Sequence, residues 1–198
     1  MSTGKLVVGV TGASGAIYAQ RFLRQAAHLY DEVLLIMSEQ AIQVAETELG
    51  VAPVRTAFQT DEWLGEPLSN IRLLDSRDYF TPPASGSFRH DGMVIVPCSM
   101  GSAGRIANGI SDDLLTRSAD VCLKEGRPLI LVPREMPWSL IMLRNLTQLA
   151  EAGATIMPAC PAWYHRPDSL EALADTVVAR ILQRLGHQQT LDKQWAVE

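Results

Sequence analysis

The chain of 198 residues is 47% hydrophobic and 20% charged, with a mean hydropathy of +0.06, so it holds enough apolar material for one packed core and is too short for two full domains. Fourteen Gly and 11 Pro are ordinary usage, which excludes collagen-like and low-complexity chains, while the apolar content excludes a disordered polymer. Seventeen Lys and Arg against 22 Asp and Glu leave a net charge of −5 with the basic residues scattered, so neither a nucleic-acid footprint nor a basic membrane-binding run is expected.

Residues 6–10 form the first strand, and their apolar run is too short for a signal-peptide core or a membrane span. Helical spacing follows over 15–29, then a second strand over 33–37 closed by Ser38, and a helix over 39–49. Residues 53–89 read as a long irregular loop, because Pro67, Pro82-Pro83 and the run Ala84-Ser85-Gly86-Ser87 interrupt any period. A third strand over 93–96 precedes one long helix over 103–125 with a break near 109–111. A fourth strand over 129–132, a helix over 139–152, a weaker strand over 154–157 and an amphipathic helix over 169–185 complete the order. Apolar runs without polar alternation suit strands covered on both faces, so this alternation predicts a parallel sheet between helical layers in a single domain over 1–198.

In such a sheet the carboxyl ends of the strands lie along one edge, where ligands bind. Four strand ends there carry unusual turns. Gly9-Val-Thr-Gly12-Ala13-Ser14-Gly15 opens a helix with small residues that let backbone N–H groups approach a phosphate, although the same glycines also suit a plain tight turn. Ser38 ends the second strand, and Pro97-Cys98-Ser99-Met100-Gly101-Ser102 is another small polar turn. Pro133-Arg134-Glu135-Met136-Pro137 holds a charged pair between prolines, fit for a site or for a solvated surface pair.

Other chemistries find less support. No Tyr is followed four residues on by Lys, which counts against a short-chain dehydrogenase, and only Glu39 is placed to meet a ribose hydroxyl in a nicotinamide-dependent reductase. His28, His90, His165 and His187 stand singly, Asp112-Asp113 has no second acidic pair, and no metal site is expected. Cys98, Cys122 and Cys160 are odd in number without CxxC spacing and read as reduced cytoplasmic thiols.

Six motifs in order nearly span the chain: residues 9–16, 82–87, 91–100, 114–125 (Leu-Leu-x-Arg-x-Ala-Asp-Val-x-Leu-Lys-Glu), 133–137 and 161–167 (Pro-Ala-x-Tyr-His-x-Pro). Together they resemble the UbiX/Pad1 family of flavin prenyltransferases. The resemblance implies a single Rossmann-like, flavodoxin-like three-layer α/β domain with a mostly parallel sheet. It also implies homo-oligomers, commonly dodecamers, with sites at subunit contacts, and transfer of a dimethylallyl group from dimethylallyl phosphate to N5 and C6 of reduced FMN. The prenylated FMN would serve a UbiD-type decarboxylase. The implied flavin contacts are Gly12, Ala13, Ser14, Ser38, Ser99, Met100, Gly101, Ser102 and Arg134. Lys124, Tyr164 and Arg180, with Arg117, would handle the prenyl phosphate, while Ser14, Glu48, Glu135 and Trp195, in a tail over 187–198 expected to reach the site, would complete the chemistry.

Those assignments make physical sense. An allylic phosphate leaves as an anion, and without a metal only cationic donors such as Lys124, Arg134 and Arg180 stabilise it. A carboxyl group such as Glu135 is suited to pass protons between flavin and phosphate, and the face of Trp195 to shelter allylic positive charge. The chain departs from many relatives at Asp113 for Asn, Ser102 for Thr and Met142 for His. An FMN-binding accessory subunit without chemistry of its own is the alternative function.

Overall fold

The computed structural model describes residues 4–51, 58–164 and 166–191. Six strands, β1 (Lys5–Val10), β2 (Glu32–Met37), β3 (Ile71–Leu74), β4 (Met93–Cys98), β5 (Leu129–Pro133) and β6 (Thr155–Ile156), form one sheet in the order β3-β2-β1-β4-β5-β6, with every pairing parallel. Among the described residues, seven α-helices flank them: α1 (Ala16–Leu29), α2 (Glu39–Leu49), α3 (Thr60–Leu64), α4 (Met100–Ala107), α5 (Leu114–Lys124), α6 (Leu140–Glu151) and α7 (Leu170–Arg184). Among the described residues, no helix is long and apolar enough to cross a membrane.

Continuous apolar strands produce this architecture because alternate residues face opposite layers. Leu6, Val8 and Val10 of β1, with Val33, Leu35 and Met37 of β2, pack against α1, α3 and α7, whose Phe22, Leu23, Trp63, Val178 and Ile181 are buried. The intervening Val7, Leu34 and Ile36, joined by Met93, Ile95 and Leu131, pack on the other side against Leu114, Leu115, Leu146 and Leu149. Gly9 is required here: a Cβ on it would lie 3.1 Å from Leu115 Cδ1, so its absence lets α5 approach β1.

Two sequence expectations are corrected. The stretch expected to be loop contains α3 and the edge strand β3, in which Arg72 is exposed, so the apolar run that marks the other strands is broken. The helix expected over 103–125 is two helices. The first starts at Met100, capped by Ser99, and the second is capped by Asp113 after Gly109 turns the chain at a left-handed φ of +68°.

The chain winds from β1 outward to β2 and β3, then returns to β4 and winds outward through β5 to β6. Strand order therefore reverses between β1 and β4, the switch point at whose carboxyl edge a crevice forms in such sheets.

Candidate active site

Three helices begin at this crevice and aim their amino ends across it. α1 follows β1, α2 follows β2 behind the cap Ser38, and α4 follows β4 behind the cap Ser99. The Ser38 hydroxyl oxygen accepts the Ala41 amide at 3.1 Å, and the Ser99 hydroxyl oxygen accepts the Ser102 amide at 3.2 Å while donating to the Ser102 hydroxyl at 3.1 Å. Each helix start leaves backbone N–H groups without helical partners and carries partial positive charge, so three such ends favour an anionic, hydrogen-bond-accepting ligand. Gly12 lies against the first turn of α2, where a Cβ would collide with Gln40, and that close seating aligns the β1–α1 turn with Ser38.

One of these ends is already filled. The first-turn amides of α1, expected to meet a phosphate, meet Glu48 of α2 instead. Gly15 N donates to Glu48 Oε2 at 2.9 Å and to Oε1 at 3.1 Å, and Ala16 N donates to Oε2 at 2.7 Å. Burial raises the Glu48 pKa, but the Ser14 hydroxyl bond, the two amides and the Arg134 charge outweigh it and hold the carboxyl below its usual value. Glu48 is thus an anion here, and the amides left open to a ligand are those of α2 and α4. A pocket of about 230 Å³ beside it is lined by Ser14, Gln40, Gln43, Val44, Thr47 and Glu48.

Arg134 follows β5 on the same edge, its amide donating to Cys98 O at 3.2 Å. Its guanidinium also acts on Tyr18, whose phenol pKa is raised by burial first and by Cys160 next, with Arg134 opposing both. Ala159 N donates to Pro133 O at 3.0 Å, which brings the Cys160 segment alongside Arg134 on this side of the crevice, where both act on Tyr18. The backbone of Glu135 accepts Trp138 Nε1 at 2.8 Å, and its carboxylate accepts the Met136 amide at 2.9 Å, which folds this segment back on itself. Met142, at the start of α6, places its sulfur 3.5 Å from the Ser139 amide and closes a capping box. Asp113 does similar work for α5: Oδ1 accepts the Thr116 amide at 2.7 Å, and Oδ2 accepts Arg105 Nη1 at 2.9 Å.

The crevice of one chain thus gathers Gly12, Ala13, Ser14, Ser38, Glu48, Ser99, Met100, Gly101, Ser102 and Arg134, with Glu135 next to it. Tyr164 is exposed in the segment after β6, between that strand and α7. Arg117, near the start of α5, spends its guanidinium on Ala84 O at 3.1 Å and Asp120 at 2.8 Å. Lys124 lies elsewhere. It ends α5, whose chain turns directly into the amino end of β5, and it pairs with Glu125 beside Gly86, on the sheet edge opposite the crevice. Arg180 lies one turn before Arg184, whose Nε donates to Thr155 Oγ1 at the start of β6, so it too sits toward that far edge, bonded to Gln183 at 2.8 Å. Trp195 lies outside the described residues. Among the described residues no group of three His, Cys, Asp or Glu stands together to hold a metal ion.

Thr11 and Tyr18 were not singled out from the sequence. A polar residue closing an otherwise apolar strand was the available signal for Thr11, and an aromatic ring in the first turn of a helix that follows glycines was the signal for Tyr18.

A family model described as Flavoprotein matches residues 1–185. Among curated relatives, the flavin prenyltransferase UbiX of Synechocystis sp. is 46% identical over 91% of this chain and 90% of its own length. The flavin prenyltransferase UbiX of Pseudomonas aeruginosa is 44% identical over 96% of this chain and 93% of its own. The crystal structure of AnUbiX (PadA1) in complex with FMN and dimethylallyl pyrophosphate superposes with a TM-score of 0.88 at 37% identity, covering 98% of both chains. A dodecameric FMN-dependent UbiX-like decarboxylase from Escherichia coli O157:H7 superposes with a TM-score of 0.86 at 36% identity, over 98% of this chain and 100% of the other.

Proposed function

The chain belongs to the UbiX family of flavin prenyltransferases, and from that we propose that its crevice takes reduced FMN and a dimethylallyl phosphate and joins the prenyl group to the flavin. The observation that carries this reading is the meeting of the α2 and α4 amino ends with Arg134 at the switch point of the sheet. The residues fit a flavin. A Cβ on Gly101 would find no atom within 4 Å, so the first turn of α4 is open to a flat ligand, and the amides and hydroxyls around it match a phosphate and the polar rim of the ring. When bound, the reduced flavin supplies N5 and C6 as the atoms that take up the dimethylallyl carbons while the carbon–oxygen bond to phosphate breaks.

The residues of the chain bind, orient and move protons around that exchange. Arg134 and the open helix ends hold the flavin side, and Glu48, fixed on the α1 terminus, holds Ser14 at the reacting edge. Lys124, Arg180 and Arg117 neutralise the departing phosphate in place of a metal, Tyr164 donates a hydrogen bond to it, Glu135 carries the displaced proton to it, and Trp195 keeps water away from the allylic carbon.

Because Lys124 and Arg180 stand away from the crevice of their own chain, a neighbouring subunit supplies them. A homo-oligomer, as in the dodecameric relative, brings the two edges together. Exposed apolar side chains, Phe80, Met136, Leu140, Ile141, Trp163 and Leu170, offer the surfaces for such contacts. The prenylated FMN then passes to a UbiD-type decarboxylase as its cofactor.

The test is anaerobic. Reduced FMN is supplied with dimethylallyl mono- or diphosphate and the flavin is weighed by mass spectrometry, with a gain of one five-carbon unit expected. No adduct with either donor overturns the reading. Glu135→Gln should retain FMN yet form adduct at least about a hundredfold more slowly, the low end for a lost general acid–base group. A protein-free filtrate of the reaction should activate the decarboxylase, whereas an accessory subunit would need to remain bound to it.

A further inference from the structure

The regular pairing register between β1 and β4 ends at Gly9 and Ile95. β4 is irregular from Ile95 to Cys98 and contains Pro97, which has no N–H to give. Thr11 bridges the gap with both its backbone and its side chain. Thr11 is 1% exposed; its amide donates to Pro97 O at 3.2 Å, its hydroxyl donates to the same carbonyl at 3.0 Å, and its Oγ1 accepts the Ser99 amide at 2.6 Å. Ser99 in turn caps α4, so a single buried hydroxyl links the β1–α1 turn to the amino end of α4 across the point where the sheet opens.

We propose that Thr11 is a positioning residue for flavin binding, setting the spacing between the β1–α1 turn and the Ser99 cap without itself touching the ligand. The inference rests on the flavin reading above. The donor and acceptor roles are both fixed: the hydroxyl hydrogen goes to Pro97 O, which leaves a lone pair for the Ser99 amide. Val at this position keeps the shape and the amide bond to Pro97 O but removes both hydroxyl bonds, including the one to the Ser99 amide. A buried amide left without an acceptor costs more than the bond it made, so Ser99 N–H would turn toward water in the crevice and take the α4 cap with it. Ser retains the oxygen and loses only a methyl group.

The experiment titrates FMN into wild-type, Thr11→Val, Thr11→Ala and Thr11→Ser proteins by flavin fluorescence, with thermal melting alongside. Tyr30→Phe serves as the stability control, since Tyr30 bonds His187 at 2.8 Å beyond the far end of α1. Val and Ala should weaken FMN about tenfold, and Ser should stay within about threefold of wild type. In turnover, KM for FMN should rise in the Val and Ala proteins while KM for the prenyl phosphate and kcat at saturating flavin stay within about twofold, since only uniform flavin binding is lost. Tyr30→Phe should lower the melting temperature and leave FMN affinity unchanged. If Thr11→Val does not fold, the Ala and Ser pair decides. Wild-type affinity in Val or Ala, Ser as weak as Ala, or an equal loss of FMN in Tyr30→Phe overturns the proposal, while a wild-type protein that fails to bind FMN overturns the flavin reading itself.

Discussion

Both carboxylate oxygens of Glu48 rest on the amide of Gly15, at 2.9 and 3.1 Å, so a side chain from α2 caps the helix that follows β1. This bond explains why the glycine-rich turn differs from an ordinary phosphate loop: its own anion occupies the place a phosphate would take. Replacing Glu48 by Gln should therefore cost about 0.5 kcal/mol near neutral pH, the usual effect of a charge at an exposed helix terminus. The Glu48 pKa is lowered on folding, so its contribution is full above the unfolded value of about 4.3 and is lost as pH falls through the lower folded value. Melting curves of both proteins from pH 7 down to about 3 should converge at the acid end, and a gap that widened there would contradict the assignment.

Mixing tests the separation of Lys124 from the crevice. Lys124→Ala and Glu135→Gln proteins, each impaired alone, should regain activity when unfolded together and reassembled. With random mixing, roughly a quarter of sites would combine an intact Lys124 from one chain with an intact Glu135 from another. Mixtures no more active than their parents would place both residues in one chain's site.

Arg21 and Asp175 join α1 to α7 through two parallel bonds, Nε to Oδ1 at 2.8 Å and Nη2 to Oδ2 at 2.5 Å. Their side chains are 20% and 9% exposed, so little solvent screens the pair. Asp175→Asn leaves the guanidinium facing a neutral partner in this partly buried setting and should lower unfolding free energy by about 2–3 kcal/mol in a urea titration. FMN affinity should stay unchanged. A loss below about 0.5 kcal/mol would match a surface pair instead.

Thiol chemistry should single out one cysteine. Burial pushes Cys98 and Cys122 up to about 12, so both stay protonated and shielded at pH 8, whereas Cys160 is exposed. A maleimide should label one site per chain in the native protein and three after unfolding. Because Cys160 neighbours Tyr18 and Arg134, added FMN should slow that labelling. Rapid native labelling of Cys98 or Cys122 would contradict the packing.

The strands that face both layers were legible because runs such as residues 33–37 and 129–132 have no polar interruption, and a parallel sheet then forces their carboxyl ends onto one edge. That reasoning located Ser38, Ser99 and Arg134 without coordinates. β3 escaped it because Ile71-Arg72-Leu73-Leu74 is a four-residue edge strand with a charged residue facing water. The Glu48–Gly15 bond escaped it for another reason: the two residues are 33 positions apart, and only the packing of α2 against the β1–α1 turn brings them together. Lys124 was expected to handle the prenyl phosphate from the resemblance, but the direction of α5 decides which edge it occupies, and one chain's motif order carries no information about a neighbouring copy.

The direction of α5 also sets how catalysis depends on protein concentration. Under the proposed function, in which a neighbouring chain supplies Lys124, the phosphate-handling set is completed only by association, so turnover should obey mass action among protomers. On serial dilution, specific activity should fall once the assembly dissociates, while flavin fluorescence stays quenched. A charge on an exposed apolar side chain, such as Leu140→Glu, would then act as an inactivating mutation by moving that threshold to higher concentration.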